Sequence, residues 1–438
     1  MRLWRVHLDL MLLYPVDLYQ VRSLPKNLSY VRYLDISGHP AKCLLPHTLR
    51  FRGPTLILCP MTPNEPMQKT PYFLKSLNHK NSKTQIHKPQ IHKMTSPKSE
   101  ITVTIIGGGI GGLVLALQLH SVGIRNITIF ESSRTLAAIG SGINLQPSAV
   151  LVLRNLGLLP SLEEIGIKTE ELKYYNRYGH FVIGEPRGEK AGYLVPQFSV
   201  HRGMLHAMLL GAVKERLGDG CVIMDHVFTS YEQDEGSVTA KFTRKTDPAV
   251  PADVQERRSD VLIACDGINS TARRLLYPDE GPPNFSGRLL WRGVSLREPF
   301  LTGRSMVWAG HADQKFIAYP VGRQAEKEGK SLVNWIAELR VRSKDDPDLT
   351  PPVADWGKTV SKDRFASQFK SWTFGFLSIP ELIEETEVVA EFPMCDRTPV
   401  DRWTFGRLTL LGDAAHPLYP STLAPSKQSR RLTCCSRI

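Results

Sequence analysis

No run of about 18 apolar residues occurs in the 438-residue chain, so the sequence offers no membrane-spanning helix. Cysteine is scarce and unpaired in pattern: Cys43, Cys59, Cys221, Cys265, Cys395, Cys434 and Cys435 are seven in number, scattered, with no Cys-x-x-Cys. That excludes a disulfide scaffold and points to a reducing compartment, here read as the cytoplasm. The histidines His79, His87 and His92 stand among Lys, Gln and Pro without ligand-like companions, so no metal site is expected. Residues 8–14 are apolar but broken by Asp9 and closed by Pro15 and Asp17, which argues against a secretion signal. There is no internal repeat. With 42% hydrophobic residues, 33 Gly and 31 Pro, the composition excludes collagen-like and disordered classes and leaves room for two to four globular domains.

The formal net charge of +12 raises the question of a nucleic acid or an anionic surface, and its distribution answers it. Residues 1–93 hold 14 Lys+Arg against 4 Asp+Glu, and residues 421–438 hold 4 against none, which leaves residues 94–420 at about −2. The body is nearly neutral, no aromatic residues interleave with the basic ones, and neither nucleic acid nor a membrane is expected as a partner. Residues 1–93 also carry 10 of the 31 prolines and 6 of the 13 histidines without sustained periodicity. They read as a disordered or non-native extension, with Met94 as the natural initiator.

From residue 101 the texture changes to strand, glycine-rich turn, helix and strand. Residues 101–106 (ITVTII) read as a central parallel strand, 109–120 as a helix ended by Gly123, and 127–130 as the next strand, closing at Glu131. A helix is expected over 200–217 and buried strands over 260–264 and 407–411. Residues 172–197 and 286–394 alternate in the manner of a β-rich second domain.

Gly107-Gly-Gly109-Ile-Gly-Gly112 fits G-x-G-x-x-G after a strand and opening a helix. Gly107 permits the tight turn, Gly109 leaves backbone amides open to a pyrophosphate, and Gly112 lets the helix pack on the sheet. Glu131 lies 24 residues after Gly107, where an acid accepts hydrogen bonds from ribose hydroxyls and repels a 2′-phosphate. FAD or NAD is therefore expected there, and the residues alone leave that choice open. Two further motifs end apolar strands in an acid: Cys265-Asp266-Gly267-Ile-Asn-Ser270-Thr-Ala-Arg273, and Gly412-Asp413-Ala414-Ala-His416-Pro417-Leu-Tyr-Pro420. Taken alone, Asp266-Gly267 reads first as a structural strand-to-turn Asp-Gly, and His416 is equally a buried helix-start histidine.

In this order the three motifs resemble the FAD-dependent aromatic hydroxylases, the single-component flavin monooxygenases. Gly140-Ser-Gly-Ile-Asn-Leu-Gln-Pro147, Pro196-Gln-Phe-Ser-Val-His201-Arg202-Gly203, Trp291-Arg-Gly-Val294, Gly329-Lys-Ser-Leu-Val-Asn-Trp335 and Met394-Cys-Asp-Arg397 are similar to the branch holding phenazine-carboxylate and salicylate hydroxylases. The resemblance runs from about residue 100 to 420. It implies an α/β fold, a Rossmann-like doubly wound parallel sheet binding FAD with an interleaved β-rich substrate domain. Residues 94–171, 198–285 and 395–420 would form the FAD-binding part, and 172–197 with 286–394 the substrate domain. Gly107, Gly109 and Gly112 would cradle the FAD pyrophosphate, Glu131 the adenosine ribose, Asp266 with Gly267 would help hold the cofactor, and Arg202 would contact it from its helix. Asp413, within Gly412-Asp413-Ala414, would bind the ribitol chain, and Pro420 would lie beside the flavin ring.

The activity implied is hydroxylation of an aromatic or heteroaromatic carboxylic acid with NADH or NADPH and O2, through a flavin hydroperoxide, with no obligatory acid–base residue. Trp291, Tyr319 and Trp335 are candidate pocket walls, each equally ordinary core, and Arg292 is a candidate partner for a substrate carboxylate or a structural acid. Two other readings stay open: a flavin or nicotinamide oxidoreductase that inserts no oxygen, and an inactive remnant. The remnant is suggested by residues 421–438, which carry no glycine and no amphipathic run where relatives continue with a glycine-rich turn and closing helices.

Overall fold

The computed structural model describes residues 100–135, 141–244, 254–343, 346, 350 and 358–418. The extension 1–93, Gly140, Pro420 and the segment 421–438 lie outside the described residues.

A six-stranded sheet organises the first layer, in the order Thr404–Phe405, Leu408–Leu410, Val261–Ala264, Thr102–Ile106, Asn126–Phe130, Val222–Ile223. Every pairing is parallel except the first, which is an antiparallel hairpin. Parallel strands covered on both faces need near-continuous apolar sequence, and Val103 to Ile106, Ile127 to Phe130 and Val261 to Ala264 are all buried. The helix Ile110–Ser121 follows the glycine turn and is apolar nearly all round, with Leu113, Val114, Leu115, Ala116, Leu117 and Leu119 buried. Such a helix must be covered on several sides. Here it lies between the sheet and the helix Arg202–Leu217.

The expected helix over 200–217 begins only at Arg202. Val200 and His201 belong to the strand Gln197–His201, paired antiparallel with Gly142–Leu145 and Ile167–Thr169 in a small three-stranded sheet. The alternating Phe198 and Val200 are both fully buried there, a period-two pattern that overrides the helical reading. The expected strands shrink to Val261–Ala264 and Leu408–Leu410. The stretch between the helix Arg202–Leu217 and the strand Val261–Ala264 also forms a three-stranded antiparallel sheet, Val254–Ser259, Val238–Arg244 and His226–Gln233, that the sequence pattern did not single out.

An eight-stranded mixed sheet forms the second layer. Its order is Lys358–Thr359, Ala390–Asp396, Asn284–Arg297, Ser331–Arg340, Gln314–Pro320, Ser305–Gly310, Glu171–Tyr175, Phe181–Pro186. Strand alternation gives this sheet two different faces. One face carries Trp291, Gly293, Val307, Phe316, Ala318, Val333, Trp335 and Ala337, packed with Phe365, Phe369 and Leu382 into a single aromatic-rich core. The other face carries Arg292, Tyr319, Asn334 and Ile336. It meets the small three-stranded sheet at Gly142, where an added Cβ would stand 2.7 Å from Tyr319 and 2.8 Å from Asn334. No helix of the described residues is long and apolar enough to cross a membrane.

Candidate active site

The glycine turn is built so that only glycine serves at two of its positions. Gly107 has φ +99°, and a Cβ there would lie 2.4 Å from the Cys265 carbonyl oxygen. At Gly112 it would lie 2.1 Å from the Gly107 carbonyl oxygen. Gly109 differs: it caps the helix at φ −68°, ψ 178°, and nothing lies within 4 Å of a Cβ placed on it. The space over Gly109 is therefore open, at the N-terminus of a twelve-residue helix with no side-chain cap and no acid in its first turn. The unpaired first-turn N–H groups and the positive end of the helix dipole favour an anion there.

Glu131 stands at the end of the second strand with its carboxylate fixed. Oε2 accepts from Gly108 N–H at 2.7 Å and Oε1 from Ser133 N–H at 2.8 Å. The acid thus braces the glycine turn while lying beside it. From the other side His206 Nε2 donates to the Gly108 carbonyl at 2.7 Å, tying the turn to the helix Arg202–Leu217. His206 carried no sequence signal, because one histidine in a helix has no pattern to mark it.

The two acid-ended strands deliver Asp266 and Asp413 to the same end of the six-stranded sheet, since Val261–Ala264 and Leu408–Leu410 are parallel neighbours. The structural reading of Asp266 is realised in part: Oδ2 accepts from Thr271 N–H at 2.8 Å and Ala272 N–H at 3.2 Å, opening the helix Thr271–Leu276, and Gly267 turns the chain at φ +78°. Its Oδ1 is buried and has no partner. Burial pushes the Asp266 carboxyl above its ordinary value, against the hydrogen bonds it accepts. Gly412–Ala414 is a 3-10 turn with Gly412 at φ +60°, Asp413 exposed, and Ala414 and Ala415 buried. The surrounding protein raises Asp413 too, with His416 and Arg202 opposing. His416 is buried edge-on to Trp403 at 5.5 Å, and burial holds it below its usual value.

Behind these turns lies a charged cluster that sequence reasoning missed. Arg273 uses all five of its N–H donors: Nε and Nη2 reach Glu280 (2.7 and 2.5 Å), Nη1 reaches the carbonyls of Ala414 (3.1 Å) and Ala415 (2.7 Å), and Nη2 also reaches the Thr398 carbonyl (2.8 Å). Arg397 donates to the carbonyls of Ile268 (2.6 Å) and Gly281 (3.0 Å) and to Glu280 (3.3 Å). The two arginine side chains are 1% and 3% exposed, so this is interior structure. Both arginines ended recognisable motifs, but nothing in the spacing announced that they meet.

On the facing sheet, Arg292 and Tyr319 come together, and Trp291 and Trp335 do not join them. Each tryptophan alternates to the opposite face: Trp335 is fully buried, stacked on Phe316 at 5.6 Å and donating Nε1–H to Thr386 at 2.8 Å. Trp291 stacks on Phe365 at 4.8 Å and donates to Glu391 at 2.8 Å. They fill the core of the second layer and cannot wall a pocket shared with Arg292. The Arg292 guanidinium lies 5.0 Å over the Phe392 ring, and its Nε is buried without a hydrogen-bond partner. Burial lowers it from its usual value, the Tyr319 hydroxyl opposing this and Arg202 adding to it. Tyr319 is itself pushed up to about 12 by burial. Beside them Asn334 Oδ1 accepts from Gly142 N–H at 2.5 Å while its Nδ2 is buried and unpartnered, and His201 Nδ1 is likewise unpartnered. Arg202, exposed at the start of its helix, is near enough to act on both Arg292 and Asp413, so it links the two halves.

Residues 100–422 match a family model described as an FAD binding domain. The phenazine 1,6-dicarboxylic acid hydroxylase PhzS of Lysobacter antibioticus is 34% identical over 326 residues, covering 74% of this chain and 78% of the relative. A salicylate hydroxylase of Pseudomonas putida is 27% identical over 350 residues, covering 75% and 74%. Among solved structures, HpxO of Klebsiella pneumoniae, in complex with FAD and uric acid, superposes with a TM-score of 0.58 at 21% identity, covering 74% of this chain and 75% of that one. A glycine turn opening a helix, an acid on the neighbouring strand and two acid-ended parallel strands are set against a mixed sheet, and a family model spans all of them: this chain belongs to the FAD binding domain family, among the FAD-dependent aromatic hydroxylases.

Proposed function

We propose that the chain hydroxylates an aromatic or heteroaromatic carboxylic acid, consuming one O2 and one NAD(P)H with a proton and releasing NAD(P)+ and water. The observation that carries the substrate class is Arg292, a half-buried arginine facing the nucleotide-binding layer, whose Nε is buried and unpartnered and to which no carboxylate is paired among the described residues. A cation partly withdrawn from water without a partner is costly to the fold, and a ligand carboxylate arriving at it compensates the charge and supplies the missing hydrogen bond.

The residues present fit the dinucleotide. The open space over Gly109 and the helix N-terminus would take the pyrophosphate, Glu131 the adenosine ribose, and the exposed Asp413 the ribityl hydroxyls, with Arg202 and the orphaned Asp266 Oδ1 completing the cradle. FAD, once bound, supplies hydride acceptance and the activation of O2. The protein's own part is placement. Arg292 fixes the acid end of the substrate, so that the ring is presented at one position. The Tyr319 hydroxyl, protonated at neutral pH as any tyrosine's is and pushed further from ionisation by burial, is available as a neutral hydrogen-bonding group beside Arg292. The close contact of Gly142 with Tyr319 and Asn334 keeps water out of the seam between the layers. Residues 94–171, 198–285 and 395–420 act as the cofactor-binding part, and 172–197 with 286–394 as the substrate part. The free thiols Cys221, Cys265 and Cys395 support work in a reducing cytoplasm.

The test is a titration of the purified chain with FAD, followed by NADH and NADPH oxidation with and without a panel of aromatic acids and mass spectrometry of the products. Bound flavin with acid-dependent hydroxylated product supports the reading. Oxidation stimulated by the acids without product would instead support an oxidoreductase that inserts no oxygen.

A further inference from the structure

The Arg273–Glu280–Arg397 cluster joins the two acid-bearing turns, and its outward side-chain hydrogen bonds go to Ile268, Gly281, Thr398, Ala414 and Ala415 and not to the glycine turn or Arg292. Glu280 is 13% exposed and receives both guanidiniums, so three buried charges sum to one net cation. Arg397 grips the Asp266 loop through the Ile268 carbonyl, and Arg273 grips the Asp413 turn through the Ala414 and Ala415 carbonyls. The fork geometry of Arg273 is fully used, and a lysine could not reproduce it. These grips act on backbone, so they set where the turns lie whatever side chains the turns carry.

We propose that Arg273 is a positioning residue for the cofactor site: through its contacts with the carbonyls of Ala414, Ala415 and Thr398 it holds the Gly412–His416 turn in place, and it does so without needing its pairing with Glu280 or the grip of Arg397. The inference rests on the reading that FAD lies against Asp266 and Asp413. It makes a prediction that a purely structural salt-bridge cluster does not share, because two double variants conserve the buried net charge and differ only in which grip remains. Glu280→Gln with Arg397→Gln leaves one cation and the three carbonyl contacts of Arg273. Arg273→Gln with Glu280→Gln also leaves one cation, and removes those contacts.

Each variant is assayed for FAD affinity by quenching of flavin fluorescence, for thermal midpoint, and for amide hydrogen exchange over residues 412–416 in the flavin-free protein. Expected is a tenfold or greater loss of FAD affinity in R273Q/E280Q, about 1.4 kcal/mol by the usual conversion, together with faster exchange over 412–416. E280Q/R397Q is expected to stay within about threefold of wild type in affinity, with exchange over 412–416 unchanged. Should R273Q/E280Q fail to fold, Arg273→Lys takes its place, since it keeps the charge and lacks the fork, and the same losses are expected. Equal affinity and equal exchange in the two double variants would overturn the proposal. If the wild-type chain takes up no FAD, the functional reading fails, and the exchange measurement still decides whether Arg273 fixes the turn.

Discussion

Replacing Gly109 by alanine separates folding from cofactor binding more cleanly than any other change in the glycine turn. Gly109 has φ −68°, which alanine adopts without strain, and a methyl group placed there meets no atom within 4 Å. The folded protein therefore gives up nothing, while the unfolded chain loses freedom, so Gly109→Ala is expected to stabilise the flavin-free protein by about 0.4–1 kcal/mol. If the pyrophosphate lies over this residue, the same methyl occupies its contact distance, and FAD affinity falls at least tenfold, or about 1.4 kcal/mol. Gly112→Ala provides the contrast. Its Cβ would stand 2.1 Å from the Gly107 carbonyl oxygen, so the helix must move off the sheet by about 1 Å, an overpacking that costs about 1–3 kcal/mol and several degrees of Tm. Urea unfolding of the flavin-free proteins and flavin fluorescence titration read the two quantities separately. Unchanged FAD affinity in a stable Gly109→Ala protein would refute the placement of the pyrophosphate.

Arg292→Gln is expected to raise KM for aromatic acids by about 10–150-fold, the range for losing hydrogen bonds to a charged group, and to leave the matching uncharged phenols unaffected; equal effects on both would remove Arg292 from carboxylate recognition. Trp335→Phe should cost about 2 kcal/mol through the cavity and the lost bond to Thr386, with FAD affinity and KM unchanged; a change in KM larger than the change in stability would return the residue to the pocket. The Asp266 carboxyl, raised by burial, makes the flavin-free protein lose stability as pH rises from about 4 through the folded-state pKa, because the folded state then holds the proton more tightly than the unfolded chain. Asp266→Asn should therefore be more stable than wild type at pH 7 and gain nothing at pH 3, as followed by thermal unfolding across pH; a constant difference at all pH values would contradict the origin given for the shift.

The nucleotide-binding half was legible because its signals are local. Gly107, Gly109 and Gly112 stand within six residues of chain, and the strand that precedes them and the acid that follows have short-range patterns of their own. The substrate-side residues were legible as types, and their facing was not. Trp291 and Arg292 are adjacent in sequence and on opposite sides of the sheet, so any argument that lists them together as wall residues fails by one step of the strand. Val200 and His201 misread as helix for a related reason: their partners in Gly142–Leu145 are more than fifty residues away. The Arg273–Glu280–Arg397 cluster spans more than a hundred residues and depends on burial, which no spacing rule encodes.

The parallel pairing of the six-stranded sheet also fixes an order of assembly. The strand Thr102–Ile106 finds one neighbour nearby in Asn126–Phe130, but its other neighbour, Val261–Ala264, lies about 160 residues downstream, and Leu408–Leu410 another 140 or so beyond that. At synthesis rates of roughly 5–20 residues per second, the edge that receives Val261–Ala264 waits about 8–30 s on the ribosome, and the sheet is complete only when the Asp413 turn emerges. The eight-stranded sheet is finished sooner, because its last strand, Ala390–Asp396, precedes that turn. Assembly so dominated by distant contacts is slow and leaves an apolar edge unpaired while it proceeds. Among the described residues the Asp413 side of the cofactor site closes after the eight-stranded sheet, and a protein caught before that point would display its unfinished parallel edge to chaperones rather than a bound flavin.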